Sequence, residues 1–462
     1  MMADQSNPRV LLLQGVTGSG KTEVYLQALA HCIANGKRGI VLIPELSLTP
    51  QTLSRFNARF PNMVAVLHSG LTPAQQLSQW WEVYRGAYPV VLGARGAIFA
   101  PQSDLGLIII DEEHEWTYKQ QDSSPRYHAR EVAARLATLT GAAVVLGTAT
   151  PEINSAYRAK TGKYRLENLP SRILPGGVTS TVAPVEIVDM REELRNGNPA
   201  MFSRSLRSAL IETVSSGNQA LLFLNRRGSA DLVQCRSCGF TVRCWECGTP
   251  YTYHGTSGLL CHHCNRHRKV PTVCPDCKGR EIRFLGLGTQ TVEEEVRAII
   301  PDCRVIRWDR DSARTSQAHR EMMRLATDVT TNVIVGTQMI AKGLHLPRVT
   351  LVGAILADVG LAVPDYRAAE QTFQVLCQVA GRAGRGHDSG KVIIQTFNPD
   401  HYSIQSAANQ DFESFYERNL PFLRKHRYPP FGSMIRLTVS HKEEAACRRE
   451  AFMVASALKK SS

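Results

Sequence analysis

Short runs of apolar residues recur through the first third of the chain, and most are apolar at successive positions rather than at alternating ones. The runs begin at Val10, Gly39, Met63, Val90, Leu107 and Val144. Continuous apolarity is typical of strands that are buried on both faces of a parallel sheet. Stretches with helical character, such as residues 23–34, lie between the runs. The pattern therefore predicts an α/β lobe.

A second series of apolar runs, from Ala220 to about Phe397, predicts a second α/β lobe. A cluster of cysteines interrupts this lobe after its first strand. The predicted domains are a first lobe over 1–165, a Pro- and Gly-containing linker with some strand content over 166–204, a second lobe over 205–234 and 282–400, a cysteine-rich insertion over 235–281, and a partial C-terminal α+β domain over 401–462.

The charge of the chain favours a polyanionic partner. Its 462 residues include 54 Lys and Arg against 41 Asp and Glu, a net charge of +13. Basic side chains that neutralise phosphates release counterions, although many basic proteins bind no polyanion. No apolar run approaches the ~18 residues of a membrane span, and the first residues lack the pattern of a secretory signal. We therefore expect a cytoplasmic protein with no membrane partner.

Residues 15–22 predict a phosphate-binding loop. They fit the pattern G-x-x-x-x-G-K-[ST] and lie between a buried strand and an amphipathic helix. Backbone N–H groups of such a loop surround phosphate oxygens. Lys21 is expected to reach the β- and γ-phosphates of ATP, and the hydroxyl of Thr22 to bind Mg²⁺. The alternative is a Gly-rich turn with a surface lysine. The candidate nucleotide-binding residues are Gly15, Thr17, Gly18, Ser19, Gly20, Lys21 and Thr22.

Asp111 and Glu112 follow the buried run that begins at Leu107. A carboxylate at the C-terminal edge of a parallel strand faces the crevice where ligands bind. Asp111 is expected to hold Mg²⁺, and Glu112 to orient or deprotonate the attacking water. An acidic cluster alone would indicate a solvated helix start, so it is the preceding phosphate loop that favours a catalytic interpretation.

Residues 378–385, Q-V-A-G-R-A-G-R, supply candidate catalytic groups from the second lobe. The segment begins with Gln378, and Arg382 and Arg385 are three residues apart, on one helical face. A guanidinium at the γ-phosphate accelerates phosphoryl transfer, and one supplied by the second lobe would couple hydrolysis to motion. The alternative is a basic helix end broken by glycine.

Eight of the twelve cysteines lie within residues 235–277. They form four C-x₂-C pairs, Cys235 with Cys238, Cys244 with Cys247, Cys261 with Cys264 and Cys274 with Cys277. Two such pairs complete a tetrahedral site, so the cluster predicts two structural Zn²⁺ ions. Iron–sulfur clusters are the alternative, but the even pairing suits zinc better. Spacing alone leaves the pairing open.

These motifs, in this order over two α/β lobes, resemble those of the superfamily 2 helicases. Further segments resemble the PriA family of bacterial replication-restart helicases, and the similarity covers almost the whole chain. The segments are 44–51, 147–151, 223–228, 286–290 and 335–343.

The resemblance implies two RecA-like parallel-sheet lobes with an inserted two-zinc module. It also implies an ATP-dependent DNA helicase that moves 3′→5′ and acts on branched or stalled forks in replication restart and primosome assembly. Single-stranded and forked DNA, single-stranded-DNA-binding protein and other primosome proteins would be its partners, and the bacterial nucleoid its location.

The resemblance also assigns individual residues. It implies a nucleotide contact at Gly343 and a nested set of zinc ligands. One ion would be held by Cys235, Cys238, Cys274 and Cys277, and the other by Cys244, Cys247, Cys261 and Cys264.

Residues 116–128 resemble the aromatic-rich loop that couples DNA binding to ATP hydrolysis in the family. Aromatic faces stack on bases and basic side chains hold the backbone. The alternative is that Trp116 and Tyr118 cap the core below the sheet. Arg95 stands at the place of the family's G-x-R-S-A motif, which makes it a candidate phosphate-backbone contact.

Family members carry an N-terminal domain that recognises the 3′ end of the nascent strand, whereas this chain begins almost at the first buried run. Near the other end, the stretch 433–440 predicts a strand and is followed by one amphipathic helix. We expect a truncated product or a fragment that keeps DNA-stimulated ATP hydrolysis and binds forks equally with and without a nascent 3′ end. The alternatives are a translocase that separates no strands and an uncoupled DNA-binding or assembly module.

Overall fold

The structure is a computed structural model. It describes residues 9–461 apart from 48, 122, 174–178, 181–182, 226–231, 236–237, 247–250, 254–257, 262–265, 281, 286–287, 310–311, 313–315, 338–339, 341–345, 362, 364 and 385–389. The chain divides into two compact units, Met1–Asn419 and Leu420–Ser462.

Strands and helices alternate along most of the chain. The strands are β1 (Val10–Gly15), β2 (Arg38–Leu42), β3 (Val64–Leu67), β4 (Val90–Gly93), β5 (Leu105–Asp111), β6 (Ala143–Thr148), β7 (Arg165–Leu169), β8 (Arg172–Ile173), β9 (Thr179–Ser180), β10 (Val185–Asp189), β11 (Gln219–Phe223), β12 (Leu232–Cys235), β13 (Thr252–Tyr253), β14 (Leu259–Leu260), β15 (His267–Arg268), β16 (Ile282–Leu285), β17 (Val305–Trp308), β18 (Val333–Gly336), β19 (Val349–Ala354) and β20 (Lys391–Thr396). The helices are α1 (Lys21–Ala34), α2 (Pro50–Arg59), α3 (Pro73–Tyr84), α4 (Ala129–Thr140), α5 (Ile153–Lys160), α6 (Met190–Arg195), α7 (Arg204–Ser215), α8 (Thr289–Ile299), α9 (Ser316–Thr327), α10 (Asp358–Leu361), α11 (Ala368–Ala380), α12 (Tyr402–Ala408), α13 (Phe412–Lys425) and α14 (Glu444–Ser461).

The first large sheet has seven parallel strands in the order β3-β4-β2-β5-β6-β1-β7. Neighbouring residues of a central strand pack on opposite faces of this sheet. In β5, Ile108 and Ile110 join one core cluster, whereas Ile109 joins the other. Because both faces are buried, the strand is apolar at successive positions. The predicted parallel sheet of the first lobe is confirmed.

The second large sheet has six parallel strands in the order β10-β20-β19-β11-β18-β17. Its core includes Leu206 and Leu210 from α7 and Val292 and Val296 from α8. The order places β11 in the interior of the sheet, next to β18 and β19. The predicted second lobe is also confirmed.

The segment predicted as a linker, residues 166–204, supplies an edge strand to each large sheet. Its first residues lie in β7, which pairs with β1, and its middle residues form β10, which pairs with β20. Four of the five side chains of β7 are exposed. A strand of this kind has no continuous apolar run, which is why the hydropathy pattern did not place it in the first lobe.

The cysteine-rich insertion forms a sheet of its own. Five short strands are arranged in the order β15-β14-β13-β12-β16, and all of the recorded pairings are antiparallel. Strand β12 (Leu232–Cys235) begins this sheet and β16 (Ile282–Leu285) ends it, so the sheet extends beyond the predicted bounds of 235–281 at both ends, and the two strands pair with each other. The insertion therefore leaves and re-enters the second lobe at adjacent points.

The prediction of a strand over residues 433–440 is wrong. A strand needs a pairing partner, and no segment among the described residues pairs with this stretch. Its side chains are largely in solvent, and Ile435 is 86% exposed. The predicted helix that follows is confirmed as α14. Among the helices that the structure describes, none is both long and apolar enough to cross a membrane.

Candidate nucleotide and zinc sites

The predicted phosphate loop connects the end of β1 to the start of α1. Gly18 and Gly20 have φ of 84° and 90°, in the left-handed region that glycine adopts without steric cost. The Nζ atom of Lys21 donates to the carbonyl oxygen of Gly15 at 2.7 Å. The hydroxyl of Ser19 is buried and bonds to none of the described groups. A buried ammonium and an unsatisfied hydroxyl within one loop fit the phosphate groups of a nucleotide.

Two tyrosines fix the carboxyl end of β5. The hydroxyl of Tyr25, one turn along α1 from Lys21, donates to Asp111 Oδ1 at 2.8 Å. The hydroxyl of Tyr118 donates to the carbonyl oxygen of Asp111 at 2.7 Å and lies 3.1 Å from that of Leu42. The sequence interpretation did not include Tyr25, although its spacing of four from Lys21 places both on one helix face.

The charges around Asp111 favour a cation. Burial raises the pKa of Asp111 to about 6, the carboxylate of Glu112 adds to this rise, and the ammonium of Lys21 opposes it. A divalent cation would offset both the burial and the repulsion between the carboxylates. The carboxylate of Asp111 and the hydroxyl of Thr22, the second residue of α1, are oxygen ligands of the kind that Mg²⁺ prefers.

Glu112 has a backbone φ of 48°, a value that residues other than glycine seldom adopt. Its Oε2 lies 3.7 Å from His114 Nδ1 and accepts no hydrogen bond from the described residues. The neighbouring Glu113, in contrast, is fully buried.

Glu113 belongs to a buried charge network. It is 0% exposed, and its carboxylate accepts hydrogen bonds from Arg130, from Ser155 and from the backbone N–H of Glu152. Burial by itself would raise the pKa of Glu152, but Arg130, His128 and Asn154 together outweigh burial and hold this pKa at about 2. This network joins α4 to the start of α5 and has no recognisable signal in the sequence.

His114 connects the two lobes. Its Nδ1 lies 2.6 Å from Thr148 Oγ1 at the end of β6, and its Nε2 lies 2.7 Å from Gln378 Nε2 in α11. An amide nitrogen can only donate, so Nε2 accepts and the ring proton is on Nδ1, where it is donated to Thr148. Gln378, predicted from the sequence, therefore meets the acidic segment after β5.

Arg382 lies in the turn after α11. It is 8% exposed. Burial lowers the pKa of Arg382 to about 10, and the nearby carboxylate of Glu112 opposes that change. A Cβ atom added to Gly381 would lie 2.9 Å from Thr17 Oγ1, so this turn contacts the phosphate loop directly. The other predicted residues of the second lobe, Arg385 and Gly343, lie outside the described residues.

Arg172, in β8, is a second arginine at the phosphate loop. It packs on the loop, because a Cβ on Gly18 would lie 3.2 Å from Arg172 Cγ. Its Nη1 donates to the carbonyl oxygen of Ala383 at 3.4 Å. Burial lowers the pKa of its guanidinium. The sequence interpretation missed Arg172 because it lies in the segment read as a linker.

Arg95 is half-buried and supports the neighbouring loop. Its Nη1 donates to the carbonyl oxygens of Thr117 and Lys119 at 2.9 and 3.1 Å, within the segment that resembles the aromatic-rich loop. Tyr118 in the same loop is 1% exposed, whereas Trp116 is 43% exposed. Of these two aromatic residues, the structure therefore places Tyr118 in the core and leaves Trp116 accessible.

Four cysteines of the insertion form a candidate zinc site. The Sγ atoms of Cys235, Cys238, Cys274 and Cys277 all lie within 4.8 Å of one another. Cys235 and Cys277 are 3.6 Å apart, and Cys238 and Cys274 are 3.7 Å apart. Zn–S bonds of ~2.3 Å place the sulfurs of a tetrahedral site about 3.8 Å apart. The geometry fits one zinc ion and agrees with the nested pairing.

The other four predicted ligands are described only in part. Cys244 and Cys261 are buried in one cluster with Tyr251, and burial together with Cys244 raises the pKa of Tyr251 to about 12. Cys247 and Cys264 lie outside the described residues. The second predicted zinc site therefore remains a prediction.

Comparisons with known proteins agree with this arrangement. Residues 2–158 match the family model of the DEAD/DEAH box helicases. The replication restart protein PriA of Bacillus subtilis is 48% identical over 99% of this chain, and that of Synechocystis is 45% identical over 92%. The chain is a PriA-like protein. It spans about half the length of these PriA proteins, 56% and 52% respectively.

Solved structures of helicases share the fold of this PriA-like chain. The structure of RecG bound to a three-way DNA junction aligns with 97% of this chain and with 47% of the RecG chain, with a TM-score of 0.51 and 16% identity. The structure of the DEAD-box helicase Mss116 bound to single-stranded RNA aligns with 96% of this chain and with 74% of the Mss116 chain, with a TM-score of 0.50 and 10% identity. At such low identity the likeness shows the fold alone, two RecA-like lobes.

Proposed function

We propose that the chain is the motor of an ATP-driven DNA helicase that acts in replication restart. The observation that carries the proposal is the hydrogen bond from Gln378 to His114, which joins the second lobe to the acidic segment beside the phosphate loop. A nucleotide bound at such a boundary is sensed by both lobes, as a motor requires. The name of the relatives, replication restart protein PriA, supports the same function.

The site residues have separate roles in this proposal. Lys21 holds the β- and γ-phosphates, while Thr22 and Asp111 hold Mg²⁺, which neutralises phosphate charge when it is bound. Glu112 orients or deprotonates the attacking water. Arg382, together with Arg385, stabilises the charge that develops on the γ-phosphate, and Gly343 contributes a backbone contact to the nucleotide.

The substrate in this proposal is single-stranded and forked DNA, along which the motor moves 3′→5′. The net charge of +13 supports a polyanionic partner. Exposed Trp116 lies in the loop that follows the catalytic carboxylates and can stack on a base. Single-stranded-DNA-binding protein and other primosome proteins are the proposed partners in the bacterial cytoplasm, at the nucleoid.

The test is ATP hydrolysis with and without single-stranded DNA, for the chain and for its Lys21→Ala variant. We expect strong stimulation by DNA and a loss of at least about 10³-fold in the variant, because phosphate positioning supplies most of the catalysis. Strand displacement on a forked duplex then separates a helicase from a translocase that separates no strands. Absence of stimulation in a folded chain would overturn the proposal and favour a DNA-binding module.

A further inference from the structure

Polar residues occur every fourth position along one helix of the second lobe. Glu370, Gln374 and Gln378 lie within α11, and Arg382 lies two residues beyond its end. Residues four apart lie on one face of a helix. The three α11 residues are at most 9% exposed. Buried polar groups are almost always hydrogen-bonded, so a row of them implies a row of partners.

The partners all lie in the first lobe. Gln378 Nε2 contacts His114 at 2.7 Å, and Gln374 Nε2 donates to the carbonyl oxygen of Thr150 at 3.4 Å. Glu370 Oε1 accepts from the backbone N–H of Ile153 at 2.7 Å. The polar face of α11 therefore contacts the first lobe from the acidic segment after β5 to the start of α5.

The contact at Ile153 closes the end of a helix. Ile153 is the first residue of α5, and the first N–H groups of a helix have no partner within the helix. The preceding residue, Glu152, makes no side-chain cap. Glu370 Oε1 supplies a missing acceptor from the other lobe. This cap exists only while the two lobes are in contact.

We propose that Glu370 is a positioning residue of the motor, which caps α5 across the lobe boundary and fixes the register of α11 against the first lobe. Glu370 acts through Ile153 and through the helix that carries Gln378 and Arg382, and it does not touch the nucleotide. Binding of nucleotide between the lobes is thereby linked to the segment between β6 and α5. The inference rests on the proposed ATP-driven function.

The direct test is hydrogen exchange at the Ile153 amide, measured with the ATP analogue AMP-PNP and single-stranded DNA. Glu370→Ala removes the acceptor and is expected to speed this exchange about tenfold. Glu370→Gln keeps an acceptor oxygen and is expected to retain most of the protection. Gln371→Ala is the matched control, because it lies on the same helix outside the polar row and should leave exchange at Ile153 unchanged.

The second readout is the KM for ATP. Because the lobes close less readily without the cap, Glu370→Ala is expected to raise KM about tenfold with a smaller change in kcat, and Glu370→Gln to stay close to the parent chain. Unchanged exchange at Ile153 in Glu370→Ala, or a Gln variant as impaired as the Ala variant, would overturn the inference. A parent chain that protects Ile153 but hydrolyses no ATP would instead contradict the proposed function.

Discussion

At the scale of single residues, neighbouring side chains of one chemical type have different surroundings. Glu112 and Glu113 are adjacent and both acidic, yet Glu113 is bonded to Arg130 in the core, whereas Glu112 Oε2 accepts no hydrogen bond from the described residues. The sequence predicts the catalytic role for Glu112, but it gives no sign that Glu113 is bonded in the core.

Arg95 is a residue for which sequence and structure suggest different roles. A phosphate contact needs only a positive charge, whereas the structure has one guanidinium nitrogen that donates to the carbonyl oxygens of both Thr117 and Lys119. Arg95→Lys keeps the charge but replaces the Nη1 donor by an ammonium on a shorter stem, which does not reach both carbonyl oxygens. The substitution therefore distinguishes a contact with DNA from a support for the loop.

We expect Arg95→Lys to reduce DNA-stimulated ATP hydrolysis about tenfold, since losing a hydrogen bond from a charged group costs ~1.5–3 kcal/mol. The salt dependence of DNA binding should be unchanged, because the number of cations at the phosphates is the same. Both are measured by titrating single-stranded DNA at several salt concentrations. Full activity with an altered salt slope would restore the phosphate-contact interpretation.

At the scale of secondary structure, α11 shows which contacts can be predicted from the sequence and which cannot. Gln378 and Arg382 were found because they belong to a recognisable motif. Glu370 and Gln374 continue the same row toward the N-terminus, and their spacing of four is visible in the sequence. The pattern does not tell which neighbour covers that face, because the partner, Ile153, is 217 residues away. Contacts between lobes require the folded structure.

The surroundings of Glu370 make the contact between the lobes depend on pH. Burial raises the pKa of Glu370 to about 8, and the carboxylates of Glu152 and Glu113 add to the rise, while the N–H of Ile153 and the charge of Arg367 oppose it. Because the pKa of Glu370 is higher when the lobes are in contact than when they are apart, its carboxyl group binds a proton more tightly in the closed state. Closure therefore takes up a proton between the ordinary pKa of 4.5 and about 8, and it weakens as pH rises through that window.

The measurement is the affinity for AMP-PNP between about pH 6 and 8, in the parent chain and in Glu370→Gln. Dividing one affinity by the other removes the titration of the nucleotide and of every other shared group. We expect the ratio of the parent affinity to the Glu370→Gln affinity to fall by up to about 50-fold across the range, as the parent chain loses its proton. A constant ratio would show that Glu370 does not titrate with closure.

At the scale of the whole molecule, the cysteine-rich insertion packs on the lobe that it interrupts. Gly239 follows the knuckle of Cys235 and Cys238 with a φ of 76°. A Cβ there would lie 2.5 Å from Arg191 Cγ and 2.9 Å from Phe397 Cδ1. Only glycine allows both the turn and this close approach. The ion at this site is therefore expected to stabilise the surface of the second lobe as well as the insertion.

Cys238→Ser is expected to lower the zinc content from about two ions to about one per chain, because three ligands do not complete a structural site. The insertion should become sensitive to protease, since the free energy of zinc binding is part of the free energy of folding. Elemental analysis and limited proteolysis measure both effects. Cys447→Ser in α14 is the control and should keep the parent zinc content, and an equal content in both variants would contradict the site.

The two large sheets, the phosphate loop and the four C-x₂-C pairs follow from local patterns, because buried parallel strands and metal knuckles leave a direct mark on the sequence. Which pairs share an ion comes only from the family resemblance. Strand β7 and the stretch 433–440 show the limit. The polar β7 joins a sheet because a neighbour offers its edge, whereas the more apolar 433–440 pairs with none of the described strands. Whether a segment forms a strand depends on which other strand lies beside it in the fold, and a single sequence does not show this.

The polar row on α11 also constrains how the lobes can separate. Glu370 and Gln378 are eight residues apart, which is about 12 Å along a stiff rod. A tilt of only about 15° about the Gln378 end would move Glu370 about 3 Å further from Ile153, enough to break that bond while the bond at His114 stays intact. A small rotation of α11 about its C-terminal end therefore breaks the contact at α5 first. Opening can begin there, far from the nucleotide, and the contacts beside the phosphates separate last.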